Sequence, residues 1–263
     1  MSFQPVIPLG GYAGWAFLKR TMVQQQAAQQ ATPVNQRDEA YFRDRIGKIS
    51  TAEELVSDRR LLRVALTAYG LEGDIDNKAF IRKVLQDGTL NADALANKLA
   101  DKQYQKFSAA FGFGDFSVPR SQISDFADKT LAMYRTRQFE TAVGEQNNSY
   151  RLALNAEREV VALAEKAVSE DVKWLTIMGN PPLRETFQTA LGLPASFASL
   201  DLDQQLGVLK ARAQSVFGSD SVSQFAAPEN LDKLVRTYLL RSEITSSALV
   251  GRGSVALQLL QGM

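Results

Sequence analysis

The sequence predicts an all-α protein. Apolar residues recur at helical spacing from residue 37 onward, and β-branched residues do not gather in alternating runs. A stop of the form Ala–(Tyr, Phe or Leu)–Gly–(Leu or Phe) recurs at 68–71, 110–113 and 190–193. A helix that must end needs a left-handed residue just past its last turn, and glycine adopts that conformation without a Cβ clash. The apolar residue after it packs back on the turn just completed.

The elements follow in order. Residues 1–10 hold Pro5 and Pro8 and read as an extended arm. Residues 12–31 are rich in Ala and Gln, good helix formers, with Trp15, Leu18, Met22 and Val23 at helical spacing before a break at Pro33. The rest of that helix is polar all round, so a loosely attached helix is expected. Ser50, followed by Glu53, has the form of a capping box that opens a short helix through Val56.

Asp58 is then the expected N-cap of RRLLRVALTAY, which stops at Gly70. Asp76 caps NKAFIRKVLQD, which stops at Gly88. Asp101 caps KQYQKFSAAF, which stops at Gly112. Residues 120–178 are continuously helical in pattern, with Ile123, Phe126, Leu131, Tyr134 and Phe139, then Tyr150, Leu154, Val161 and Val168, at roughly helical spacing. Two long helices forming an antiparallel hairpin, broken near Gly144 to Asn148, are expected there. Asn180 caps PPLRETFQTAL, whose prolines suit a first turn that lacks N–H partners, and Gly192 ends it. Asp201 caps LDQQLGVLKARAQSVF, which stops at Gly218. Pro228 opens a helix through PENLDKLVRTYLLRSE, and SSALVGRGSVALQLL closes the chain as an amphipathic stretch weakened by its glycines.

The pair of helices around 58–88 recurs around 180–218, with Gly70 and Gly192 standing 122 residues apart (192 − 70). The expected architecture is a multi-helix array in which a duplicated helix pair flanks the central hairpin. The expected divisions are an N-terminal arm and Gln/Ala-rich helix over 1–34, a first helical half over 35–118, and a second over 119–263. Residues 35–263 forming one continuous domain is the alternative.

The chain has 263 residues and contains no histidine and no cysteine. That removes imidazole acid–base chemistry, thiolate nucleophiles, disulfides and the commonest metal ligands. Carboxylate, Lys and Tyr chemistry remains open. Lys+Arg of 30 against Asp+Glu of 29 gives a net charge of +1, too balanced for a general nucleic-acid binder. The apolar GGYAGWAFL precedes Lys19 and Arg20, the reverse of a secretory signal, and no window is long enough to span a bilayer. A cytoplasmic protein, or one exported by a specialised route, is expected.

No motif carries a cofactor. Gly10, Gly11 and Gly14 have the wrong spacing for a dinucleotide fingerprint, and no phosphate-binding loop is present. The acidic stretches 73–78 and 200–205 fail the calcium-loop pattern at Lys78, Leu85, Leu206 and Arg212. Glu157, Glu159 and Glu165, the basic stretch 43–48 and the Arg59–Arg60 pair read as solvated faces. No catalytic residue, cofactor or metal site is assigned. The GRGS-containing terminal helix and the Trp15 helix are candidate oligomer contacts.

Two stretches, TRQFETAVGEQNNSYRLALNAER (136–158) and WLTIMGNPPLRETFQTALGLP (174–194), resemble the alphaproteobacterial family known as domain of unknown function 1217. LTAYGLEGDIDNKAFIRKVLQDG and LADKQYQKFSAAFGF resemble it too, so the likeness spans roughly residues 40 to 240. It brings no catalytic residues. It does imply a flagellar context, because members are often encoded among flagellar genes. The resulting expectation is a non-enzymatic helical protein acting in the flagellum by protein–protein contact. A small-ligand or peptide module between the repeat halves, or an enzyme using carboxylate, Lys or Tyr groups, are the alternatives.

Overall fold

A computed structural model of the chain describes residues 3–261, with side chains described for 3–245. Among the described residues there are thirteen α-helices and no strand. They are α1 (Gly11–Gln30), α2 (Pro33–Ile46), α3 (Ala52–Ser57), α4 (Arg59–Tyr69), α5 (Lys78–Asp87), α6 (Leu95–Lys98), α7 (Gln103–Phe111), α8 (Phe126–Gln146), α9 (Asn148–Ala164), α10 (Glu170–Gly179), α11 (Pro181–Leu191), α12 (Leu202–Phe217) and α13 (Pro228–Gln261). The side chains of the terminal GRGS-containing stretch lie outside the described residues.

The chain divides into two compact units. The first comprises residues 1–5 and 21–142, the second 6–20 and 143–263. The division therefore falls near the end of α8, whereas the sequence pattern suggested a cut at 118/119. In the first unit α2 and α3 pack on α4, and α5 packs on α3 and α7. Its core is an aromatic knot in which Tyr69, Phe107, Phe111, Phe113 and Phe126 meet at ring distances of 5.0–6.3 Å. In the second unit α9 and α10 pack on α11, α12 packs on α10, and α13 packs on α9 and α11. Trp174, Phe187, Phe225 and Phe217 form its knot through edge-on contacts, each worth about 1 kcal/mol beyond burial alone.

Helix α1 is anchored along its length. Trp15 and Leu18 are buried, and Trp15 tilts against Tyr150, whose hydroxyl donates to Gly11 O at 2.6 Å. Gln25 and Gln29 are buried as well, and Gln29 Nε2 donates to Gln138 O. Of the glutamines that suggested a loose helix, Gln25 and Gln29 are inside because their amides find partners, whereas Gln24 is exposed. Val23 alone of the expected apolar face is strongly exposed.

The helix stops are of two kinds. Gly70 and Gly192 are left-handed, at φ 72° and 63°, and Leu71 and Leu193 donate back to Leu66 O and Gln188 O. Gly112 and Gly218 are left-handed and make the single bond to Ser108 O and Gln214 O. Gly88 differs, with φ 67° and ψ −153°, a region open essentially to glycine alone. It turns the chain sharply against Gly114 and Asp115.

Three expected N-caps are corrected. The capping box of α3 belongs to Thr51 and Glu54, one residue beyond Ser50 and Glu53, because Glu54 reaches back to the N–H groups of both Thr51 and Ser50. Helix α5 starts after Asn77, and Asp76 instead pairs with Arg59 at 2.6 Å. Helix α7 starts after Lys102, although Asp101 still accepts the first helical N–H, from Gln103. Asp58, Asn180 and Asp201 accept helix N–H groups at α4, α11 and α12. The long helices expected over 120–178 are α8 and α9, separated by Asn147, which caps α9. Ile123 and Val168 lie outside them and are exposed.

The internal likeness extends beyond one helix pair. The contacts of α2 and α3 with α4, and of α3 with α5, recur as those of α9 and α10 with α11, and of α10 with α12, and α8 matches α13 through the pairs that follow. Beside Gly70 lies the guanidinium of Arg137, and beside Gly192 that of Arg241. Each arginine follows a buried tyrosine by three residues, Tyr134 and Tyr238. Gln138 Nε2 donates to Asn35 Oδ1 in the first unit, and Ser242 and Ser149 share a hydrogen bond at the matching places of the second. Counting on from those partners, the buried face of α2 (Asn35, Asp38, Phe42, Ile46) falls opposite Leu152, Ala156 and Val160 of α9, which are buried too.

Candidate functional site

The second turn of α2 brings Asp38 onto the inward stripe that continues through Phe42 and Ile46. A carboxylate there is costly unless paired. Helix α4 supplies the partners: Arg60 Nε and Arg63 Nη2, one turn apart, each donate to Asp38 at 2.7 Å. Asp38 retains only 6% of its side-chain exposure, whereas Arg60 keeps 37% and Arg63 52%. The carboxylate is thus an internal anchor, and the two guanidinium groups lean outward from it.

Neighbouring groups fix the pair. The Arg60 guanidinium lies 4.6 Å from the centre of the Tyr41 ring, and Arg45 lies 5.7 Å from the same ring. Tyr41 donates its hydroxyl to Asp58 Oδ2 at 2.7 Å, which holds the phenol above its usual pKa. Asp58 uses its other oxygen to cap α4 through Arg60 N and Leu61 N. Alongside, Arg135 of α8 grips Glu39 through Nε at 2.8 Å and through Nη2. Arg43 pairs with Asp128 at 2.8 Å. Burial, then the Asp38 charge, pushes the Tyr134 phenol up to about 12.

Chemically, this seam holds charge in place. Arginine stays protonated throughout the accessible pH range. Among the described residues, Arg60 and Arg63 spend one donor nitrogen each on an acceptor, both on Asp38. The remaining N–H groups of both have no protein acceptor among those residues.

The second unit serves as an internal comparison. At the places of Asp38, Glu39, Arg60 and Arg135 it carries Leu152, Ala153, Pro182 and Leu239, and the first two and the last are buried. The architecture therefore accommodates an apolar seam at these positions. Replacing a buried ion pair by apolar residues of similar volume is often neutral or stabilising.

A different cluster occupies the second unit. Lys173 is buried and donates to Ala164 O at 2.8 Å, to Ser223 Oγ at 2.6 Å and toward Glu170 Oε1 at 3.2 Å. Glu170 also accepts from Val222 N and Ser223 N, and from the Ser223 hydroxyl. Burial pushes the Glu170 carboxyl up, but the donors of Ser223, Ser221, Lys173 and Val222 outweigh it and bring it to about 2. A serine beside a lysine resembles a nucleophile with its base. Here, however, the three lysine protons are committed, and the Glu170 carboxylate stays ionised and is a poor base. The cluster fastens the 222–226 turn to α10 and to the carbonyl end of α9.

The helix ends at Gly70 and Gly192 are each covered by an arginine of their own unit. Arg59 is a surface partner of Asp76, whereas Arg60, expected on the same solvated face, turns in toward Asp38. Glu157 pairs with Lys19 at 2.5 Å and Glu159 with Arg158. No group of three or more carboxylates is placed to hold a metal among the described residues. Asp38, Glu39, Arg135, Glu170 and Lys173 were not singled out from sequence. The available signal was a charged residue at 38 on the helical stripe that runs on through the apolar Phe42 and Ile46.

Among curated proteins, none matches the chain. In fold it is similar to a protein from Agrobacterium tumefaciens of known X-ray crystal structure. The likeness covers 92% of this chain and 99% of that one, with a TM-score of 0.73 and 24% identity. The family described as protein of unknown function (DUF1217) matches residues 68–231, more than half of the sequence, and the chain belongs to that family.

Proposed function

We propose that the protein is a non-enzymatic helical interaction module that works in flagellar assembly or function by contact with another protein. The observation that carries the contact is the seam of the first unit. There a buried Asp38 holds Arg60 and Arg63 at the surface, where the second unit carries Leu152, Pro182 and Glu185 and so lacks the arginine pair. A paired, fixed arginine face suits recognition of another surface. The commitment of Lys173 and Glu170 to backbone and serine partners is in keeping with a structural role for that cluster. No helix is long and apolar enough to cross a membrane among the described residues. The flagellar setting rests on the gene context implied by the family.

Affinity purification of the tagged full chain from motile cells, paired with a swimming assay of a deletion strain, tests this. Recovery of a flagellar component together with impaired swimming is expected. Recovery of none, with normal swimming, contradicts the proposal.

A further inference from the structure

We propose that Arg60 and Arg63, aimed by Asp38, form a docking face for an acidic segment of a protein partner. This rests on reading the chain as an interaction protein and names the chemistry of that contact. Three features carry it. First, buried Asp38 binds one nitrogen of each guanidinium at 2.7 Å, and the remaining N–H groups of both partly exposed arginines have no protein acceptor among the described residues. Two adjacent guanidinium edges match the geometry of carboxylates better than that of any neutral group. Second, the Tyr41 ring lies 4.6 Å from the Arg60 guanidinium and supports it from one side. Third, the second unit has Leu152, Pro182 and Glu185 where the first has Asp38, Arg60 and Arg63, so the feature belongs to one unit and not to the shared architecture. Both arginines stand at the surface, 37% and 52% exposed, which favours a side chain presented by another protein over a small enclosed ligand.

Asp38 acts here as a positioning residue. Removing its charge makes the face more positive and at the same time releases the arginines. A face that works by net charge alone would then bind an anion more tightly, whereas a face that works by positioning binds it less well.

The test uses the full chain and a fluorescein-labelled decaglutamate peptide, followed by anisotropy at fixed ionic strength. The parent protein is expected to bind saturably and to weaken with salt. Arg60→Gln/Arg63→Gln is expected to lose about tenfold or more in affinity. Asp38→Leu/Arg60→Gln/Arg63→Gln leaves no stranded carboxylate, and is expected to lose as much while still unfolding cooperatively. Asp38→Asn is expected to bind several-fold more weakly, and Arg59→Gln, which disturbs only the Asp76 pair, to bind within about twofold of the parent. Unchanged binding by the double variant, or tighter binding by Asp38→Asn, overturns the proposal. So does displacement of the peptide by millimolar inorganic phosphate at constant ionic strength, which marks a small-anion site. If parent and double variant recover the same partner equally from cells, the docking face falls and the interaction reading stands. If the parent binds the peptide as described but recovers no partner, the face stands and the interaction reading falls.

Discussion

Replacing Gly88 by alanine should damage the first unit far more than the same change at Gly70, although both glycines end helices at positive φ. At Gly70 a Cβ would sit 3.4 Å from Arg137 Cζ, an ordinary contact, so the cost is the left-handed conformation itself, about 1–2 kcal/mol. At Gly88 the conformation is open essentially to glycine alone, a strain of about 1–3 kcal/mol. A Cβ there would also run into the Asp115 carboxylate. That carboxylate accepts from Thr89 N at 2.7 Å, Leu90 N at 3.0 Å and Thr89 Oγ1 at 2.9 Å. Displacing it weakens three hydrogen bonds, each worth about 1 kcal/mol. Gly88→Ala is therefore expected to cost about 3–5 kcal/mol, about 1–4 kcal/mol beyond Gly70→Ala. Urea unfolding of the two variants and the parent, with the slope held common, measures the difference. If Gly88→Ala loses no more than Gly70→Ala, the turn at 88 does not depend on glycine and the reasoning fails.

Two further outcomes follow from the second unit. Glu170 has its carboxyl depressed from 4.5 to about 2, so its stabilisation is present above the unfolded value and is lost as pH falls from there toward 2. The nominal ~3 kcal/mol shrinks to roughly 1–2 kcal/mol for a side chain one-third exposed. Glu170→Gln should remove that part of the acid sensitivity, and a pH 5 to pH 2 stability profile flat to the substitution would refute it. Trp15→Ala should cost about 3–5 kcal/mol because the ring is buried against Tyr150. A thermal unfolding midpoint close to the parent's would mean that α1 is not docked as described.

The fold was legible in the sequence where local chemistry decides it. The glycine stops depend on a backbone conformation that few residues adopt, and Asp58, Asn180 and Asp201 cap helices through bonds spanning two or three residues. One-residue shifts at Thr51 and Asn77 reflect competition among adjacent polar residues, which local pattern does not resolve. The likeness of α4–α5 to α11–α12 was visible through matched stops. Its extension to α2 and α8 was not, because Asn35–Gln138 and Ser149–Ser242 join residues about a hundred positions apart. The charged seam was hidden for a related reason. Arg59 and Arg60 are neighbours of one residue type, and only the position of Asp38 on another helix separates a solvated arginine from an anchored one. Lys173 looked like any surface lysine until Ala164 O and Ser223 were brought to it.

The most direct test of the claim that the seam of the first unit serves something other than folding exchanges its charges for the residues found in the second. Urea unfolding of Glu39→Ala/Arg135→Leu, which copies Ala153 and Leu239, should give a stability within about 1 kcal/mol of the parent. Arg135→Leu alone, which strands Glu39 in a half-closed site, should lose about 2 kcal/mol or more. A double variant as unstable as the single, or more so, would show that the ion pair holds the fold together and would contradict the account.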